Sequence, residues 1–324
     1  MYPVFAAALD EVWAQFGRTF EDELHDTANA QPALFAIEVA LYRLAESLGI
    51  RPDFLIGHSV GRSPQRTCRG VVAGGRVHAR RGAGPLDGRV AGRRRHGRGA
   101  GWRGRGRPDV GRGLSIAAVN GPRAVVVSGD LGAIESWLPQ WQHRKTTRLA
   151  VSHAFHSHLM EPMLAEFRRI VEGLQFHQPQ IPIAAGDVTD PEYWVRHVRD
   201  AVRFADGIKL LHGQGVTRFL ELGPDAVLTA MAAQTLDDDG LAFIPSLRAG
   251  RDEPQTFAAF LGQVHLAGID LDWQAVLPGA RQVALPTYAF QHQRYWLTRA
   301  VPTTRRPPAR ADRAPAVGRC HTRR

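Results

Sequence analysis

Apolar residues at Leu34, Ile37, Leu41, Leu44 and Leu48 recur at helical spacing. They predict an amphipathic helix over Gln31–Leu48, with Pro32 in its first turn and Gly49 past its end. The unbroken apolar run Phe54-Leu55-Ile56 follows and predicts a strand. From 62 to 113 the periodicity stops. It resumes in LSIAAVNGPRAVVVSGD, two short strands about a turn at Asn120-Gly121-Pro122. Asp130 is placed to cap a short helix carrying Ile134, Trp137 and Leu138. From Arg148 onward, helices are predicted over Leu159–Leu174, within Trp194–Gln214, from Leu228 and over Phe257–Leu266. Strands are predicted over Ile181–Ala184 and Arg218–Leu222. This order predicts an α/β fold, a parallel-sheet core with a small α+β subdomain inserted after the first strand.

Charge changes the picture in one place. The formal net charge is +10, but the basicity is confined to two patches. Residues 62–112 hold 15 arginines, no lysine and two aspartates, and 305–324 hold seven arginines and one aspartate. Without these patches the remainder is acidic. Basic, Gly-rich tracts can follow a nucleic-acid backbone, but Trp102 is the only aromatic in the longer one, so a stacking platform is missing and no nucleic-acid partner is expected. No apolar run reaches membrane-spanning length and no secretory signal pattern opens the chain, so a soluble, cytoplasmic protein is expected. Cys68 and Cys320 give no disulfide framework.

Arginine without lysine suggests GC-rich codons read in a shifted frame. Ser63–Cys68 (SPQRTC) has a codon choice that, read one base earlier, spells IAAAHV. Gly75–Ala100, read from the second codon base, can spell DACTLVAARGRLMDALPAGGAMVAVQ, which restores the missing apolar periodicity. Ala314–Arg324 can likewise spell HPLLGAVTLA. A frame change over about 62–113, and another at the tail, is the expectation.

The chemistry starts at Gly57-His58-Ser59-Val60-Gly61. A strand followed by G-x-S-x-G describes a nucleophile elbow, in which a strained turn exposes the serine between glycines. A serine hydroxyl needs a base. The nearest candidates are His153, His156 and His158 in VSHAFHSHLM. That stretch reads equally as a polar loop with Ser157 capping the next helix. No carboxylate or cysteine joins the histidines at ligand spacing, so no metal is expected.

GHSVG, AAVNGPRAVVVSGD, VSHAFHS, TDPEYWVRHVRDAVRF, FLELGPDAVL and LPTYAFQHQRYWL together resemble the acyltransferase domain of modular type I polyketide synthases. The likeness covers roughly 3–59 and 114–297. It implies a hydrolase-like core with a ferredoxin-like subdomain. It also implies that a malonyl group passes from malonyl-CoA, through an ester on Ser59, to the phosphopantetheine thiol of an acyl carrier protein. His156 matches the family's general base and acid, its imidazole oriented by a main-chain carbonyl. The Val60 N–H matches one oxyanion donor. His153, Ala154 and Phe155 match the selectivity motif in its malonyl form, where Phe155 fills the space of an extra methyl. No bound cofactor is implied; the ketosynthase and dehydratase domains of a parent synthase are implied partners.

Three departures from the family are expected to matter. The chain begins beyond the loop that gives the second oxyanion donor. Gly82, Ala83 and Gly84 stand where an arginine should clamp the free carboxylate, and Arg80 and Arg81 are not expected to replace it. Ile183–Trp194 is also shorter than the family pattern. The resulting division is 1–61 core with elbow, 62–113 aberrant and disordered, 114–150 subdomain, 151–275 core, 276–299 linker and 300–324 disordered basic tail. A piece of a longer synthase is expected, poorly soluble and forming no malonyl-enzyme. Rival readings are an inactive remnant of that domain, and a serine esterase or thioesterase using an acid partner.

Overall fold

The structure, a computed structural model, describes residues 2–17, 19, 27–59, 89–93, 111–149, 153–184, 186–281 and 283–287. Two units are distinguished, Met1–Ala280 and Arg281–Arg324. Every helix and strand below lies in the first. In the second, 281 and 283–287 have no regular structure, and most of the predicted linker and all of the basic tail lie outside the described residues.

Helix α1, Pro3–Phe16, starts on Pro3 and closes on Gly17, whose φ of 70° suits the left-handed cap. Helix α2, Thr27–Ser47, begins four residues before the predicted start. Pro32 therefore sits inside the helix, not in its first turn, where its ring removes one helical donor. The two helices pack through Val12, Ala36 and Val39, flanked by Leu9, Trp13, Phe16 and Phe35.

The predicted elbow strand and the segment Ile181–Ala184 meet in a single parallel pairing, Leu55 with Ile183. The Leu55 N–H donates to the Pro182 carbonyl at 2.8 Å, and the Ala184 N–H donates to the Leu55 carbonyl at 2.7 Å. Farther along, four strands form an antiparallel sheet: β1 Arg89–Arg93, β2 Leu114–Gly121, β3 Ala124–Gly129 and β4 Lys145–Leu149, in the order β2-β3-β1-β4. With helix α3, Leu131–Trp137, between β3 and β4, this is the ferredoxin-like arrangement. The subdomain thus includes Arg89–Arg93, which lies in the stretch expected to lack order; the rest of 62–110 is outside the described residues.

Helix α4 spans Glu161–Glu172, α5 Pro191–Arg199 and α6 Phe204–Gly213. The subdomain is bound to the core at Val202, whose N–H donates to the Ala117 carbonyl while its carbonyl accepts from the Val119 N–H. One apolar cluster runs across this seam through Ala117, Ala118, Val202, Phe204, Ile208 and Phe219, with Phe54 and Ile56 against it. The elbow therefore rests on the same core that holds the sheet.

Strand β5, Arg218–Glu221, pairs parallel with β6, Ala242–Pro245. Between them lies α7, Val227–Thr235; α8, Glu253–Leu266, and the short α9, Trp273–Val276, complete the unit. Phe257, Phe260, Leu261 and Val264 of α8 pack with Leu41, Leu44 and Leu48 of α2 and its end in the largest cluster. Both helix and sheet layers close over apolar faces that the spacing had placed inward. Among the described residues, no helix is long and apolar enough to cross a membrane.

Candidate active site

Ser59, four residues past the Leu55 pairing, has φ 53°, and His156 has φ 59°. Non-glycine residues in this left-handed region cost roughly 1–3 kcal/mol, so the surrounding structure must hold them there. Ninety-seven residues apart in sequence, they meet directly: Ser59 Oγ lies 2.7 Å from His156 Nε2. The imidazole is buried, 4% exposed.

The other ring nitrogen fixes the proton arrangement. His156 Nδ1 is 2.8 Å from the backbone oxygen of Asp200. A carbonyl only accepts, so Nδ1 carries the hydrogen in the neutral ring, and Nε2 is left as the acceptor for the Ser59 hydroxyl. The main-chain carbonyl implied by the resemblance is that of Asp200. It sits at the C-terminal end of α5, where the last helical carbonyls lack intrahelical partners and carry partial negative charge.

The histidine cluster divides by geometry. His153 faces Phe155, ring centroids 5.6 Å apart. His158 lies 3.4 Å from the Asp130 carboxylate. Asp130 occupies the N-cap position of α3 as expected, but its side chain makes no cap hydrogen bond; its carboxylate faces His158 instead. Ser157 caps the next turn, a 3₁₀ helix over His158–Met160, by accepting from the Leu159 N–H at 3.3 Å. Its hydroxyl also donates to the Ala154 carbonyl at 2.6 Å. Ala154 and Ser157 are fully buried, so the chain on both sides of His156 is fixed. The loop that Ser157 caps therefore also sets the His156 imidazole against Ser59.

Val60 lies outside the described residues, as do Arg80, Arg81 and Gly82–Gly84. Three residues that the sequence reading did not select also join the site. His58 Nε2 is 2.7 Å from Asn120 Oδ1, linking the elbow to the hairpin turn of the subdomain, and its ring packs 5.7 Å from Phe204. His197 Nε2 is 3.1 Å from the Ser59 carbonyl. His197 stands in the motif TDPEYWVRHVRDAVRF, one turn from Tyr193 on α5, but nothing in that motif points to a contact with a main-chain oxygen. Among the described residues, no group of three or more His, Cys, Asp or Glu is placed to hold a metal ion.

A serine against a buried imidazole that a main-chain carbonyl braces is an arrangement suited to acyl transfer. Residues 15–271 match the family model of the acyl transferase domain. The chain belongs to the acyltransferase domain family. It is 40% identical to polyketide synthase GfsA of Streptomyces halstedii over 92% of this chain and 4% of that protein. With polyketide synthase GfsB of the same organism it is 42% identical over 93% of this chain and 6% of that protein. The chain thus spans a small part of these curated relatives, 4% and 6% of their length. The acyltransferase domain from the second module of the salinomycin polyketide synthase superposes with a TM-score of 0.75 at 43% identity, covering 89% of this chain and 74% of that one.

Proposed function

We propose that this acyltransferase domain moves a malonyl extender from coenzyme A to the phosphopantetheine thiol of an acyl carrier protein. The Ser59–His156 contact of 2.7 Å carries the reading. His156 Nε2 takes the hydroxyl proton as Ser59 Oγ attacks the thioester carbonyl, and the protonated ring then delivers it to the departing coenzyme A thiolate. The carrier thiol attacks the resulting ester with the proton path reversed. The Val60 N–H is the proposed oxyanion donor. His153, Ala154 and Phe155 are the proposed selectivity segment. Its steric logic is modest, since one methyl group is worth about 1–3 kcal/mol of discrimination. Ketosynthase and dehydratase domains of one synthase are the proposed neighbours. The brace on His156 Nδ1 is a main-chain oxygen and not a carboxylate, which favours this reading over an esterase with an acid partner.

A second reading, a remnant that keeps the dyad without turnover, is favoured by one observation: glycines and alanine occupy 82–84, and a carboxylate needs a bidentate cation for firm orientation. Incubation with malonyl-CoA followed by intact-mass and peptide analysis separates the two. Acyl transfer predicts one malonyl group on Ser59, absent in Ser59→Ala. An unmodified chain supports the remnant, and a version recoded over 62–113 to the alternative frame would then acquire the adduct.

A further inference from the structure

Both members of the dyad are held by the same helix end. The His156 N–H donates to the Val198 carbonyl at 3.0 Å, and His156 Nδ1–H donates to the Asp200 carbonyl at 2.8 Å. One residue before Val198, His197 turns its Nε2 to the Ser59 carbonyl at 3.1 Å. That carbonyl can only accept, so His197 Nε2 carries a hydrogen. The ring has little freedom to leave. It stacks on Tyr193 with an interplanar angle of 4° at 5.9 Å, and meets Trp194 edge-on at 6.0 Å. Trp194 is itself buried and donates to the Val188 carbonyl. His156 lies 5.7 Å away, edge to face.

We infer that His197 is a positioning residue for acyl transfer, its Nε2–H pinning the Ser59 carbonyl so that the last turn of α5 clamps both strained residues of the dyad in register. The inference rests on the acyltransferase reading of the site, and deepens it. Ser59 lies four residues beyond the Leu55 pairing, and its left-handed backbone is not self-sustaining. The strand anchors it from behind through Leu55 and Ile183. A donor on its own carbonyl restricts the peptide plane directly beyond. Hydroxyl and imidazole then share one reference body, and their separation becomes insensitive to motion of the loop carrying His156. A displacement of about 1 Å at such a contact can cost about a hundredfold in rate, so one hydrogen bond to the backbone has kinetic leverage.

Three variants separate donor from packing. His197→Phe keeps a ring on Tyr193 and loses the donor; His197→Gln puts an amide N–H at the reach of Nε2; His197→Ala loses both. The readout is the rate at which a fluorophosphonate probe labels Ser59, followed by mass spectrometry, beside a thermal melt of each chain. The probe needs only a nucleophilic Ser59, neither malonyl-CoA nor a carrier protein. His197→Phe is expected to slow labelling by about tenfold or more with an unchanged melt, and His197→Gln to restore most of the rate. Phe labelling as fast as the parent, or Gln labelling as slowly as Phe with both folded, would overturn the inference. So would a parent chain whose Ser59 does not label. A parent that labels but takes no malonyl group would sink the proposed substrate alone and leave the clamp standing.

Discussion

At the scale of single residues, Ser59 and His156 share an unusual backbone: both occupy the left-handed region, φ 53° and 59°. Function requires side chains where glycine would be more comfortable. This yields a comparison free of active-site chemistry. Ser59→Ala and Ser59→Gly both remove the hydroxyl and its contact with His156, but only glycine relieves the backbone. Ser59→Gly is expected to be more stable than Ser59→Ala by about 1 kcal/mol, despite the greater entropy of glycine in the unfolded chain. Urea denaturation of the two variants measures it. Equal stabilities would mean that the serine is not held left-handed in solution. G-x-S-x-G pointed to Ser59 and the histidine-rich loop to His153, His156 and His158 together; only the family resemblance singled out His156 among them. Sequence could not name Asp200 as the brace, because the bracing atom is a carbonyl that every residue possesses. His197 was hidden for a related reason: its partner is also main chain, and only the Tyr193/His197 spacing hinted at a shared face.

At the scale of elements, α5 is the piece on which the site depends, and its two ends do different work. Its start is capped by Asp190, whose carboxylate accepts from the Glu192 N–H at 2.9 Å. Its outer face carries a paired Arg168–Glu192 contact to α4, both nitrogens near 2.9 Å from the carboxylate oxygens, half-exposed and so worth little. Its end holds the dyad. Asp190→Ala is expected to cost about 1 kcal/mol, seen as a lower denaturation midpoint. Labelling of Ser59 in the native state is expected to be unchanged, because the clamp draws on the last turn. A labelling rate that falls along with the midpoint would show that the whole helix has to be intact for the dyad to form. The elements were unevenly legible. The hairpin around Gly121 was plain because turn chemistry and flanking valines agree. Helix α1 was missed although Ala8, Leu9, Val12, Trp13 and Phe16 do follow a helical face. Strand β6 was missed although β5, equally short, was read; its AFIP ends on a proline, which sequence reading takes against a strand. Arg89–Arg93 joins a sheet from within a stretch whose residues show no strand pattern, so only pairing with β3 and β4 could reveal it.

Across the whole molecule, a half-buried carboxyl links the N-terminal helix layer electrostatically to the second parallel strand pair. Glu221, at the end of β5, spends its carboxylate on the start of α7: Oε1 accepts from the Val227 and Leu228 N–H groups, and Oε2 from the Thr229 N–H and hydroxyl. Glu38 on α2 lies under its negative charge. Burial first, and Glu221 second, push the Glu38 carboxyl up from 4.5 to about 7. The sign of the linkage follows. Below about pH 4.5 Glu38 holds its proton whether folded or unfolded, and the full stability is present. Between there and pH 7 the folded protein keeps a proton that the unfolded chain releases, so stability falls as pH rises. Above pH 7 the loss is complete, and the folded state carries a poorly solvated carboxylate. Glu38→Gln, which stays neutral, is therefore expected to gain on the parent between pH 5 and pH 8, by about 1–3 kcal/mol. Urea denaturation of both proteins at the two pH values checks it, the difference cancelling the histidines and surface groups that titrate in both. A difference that stays constant across that range would mean that Glu38 is already ionised there.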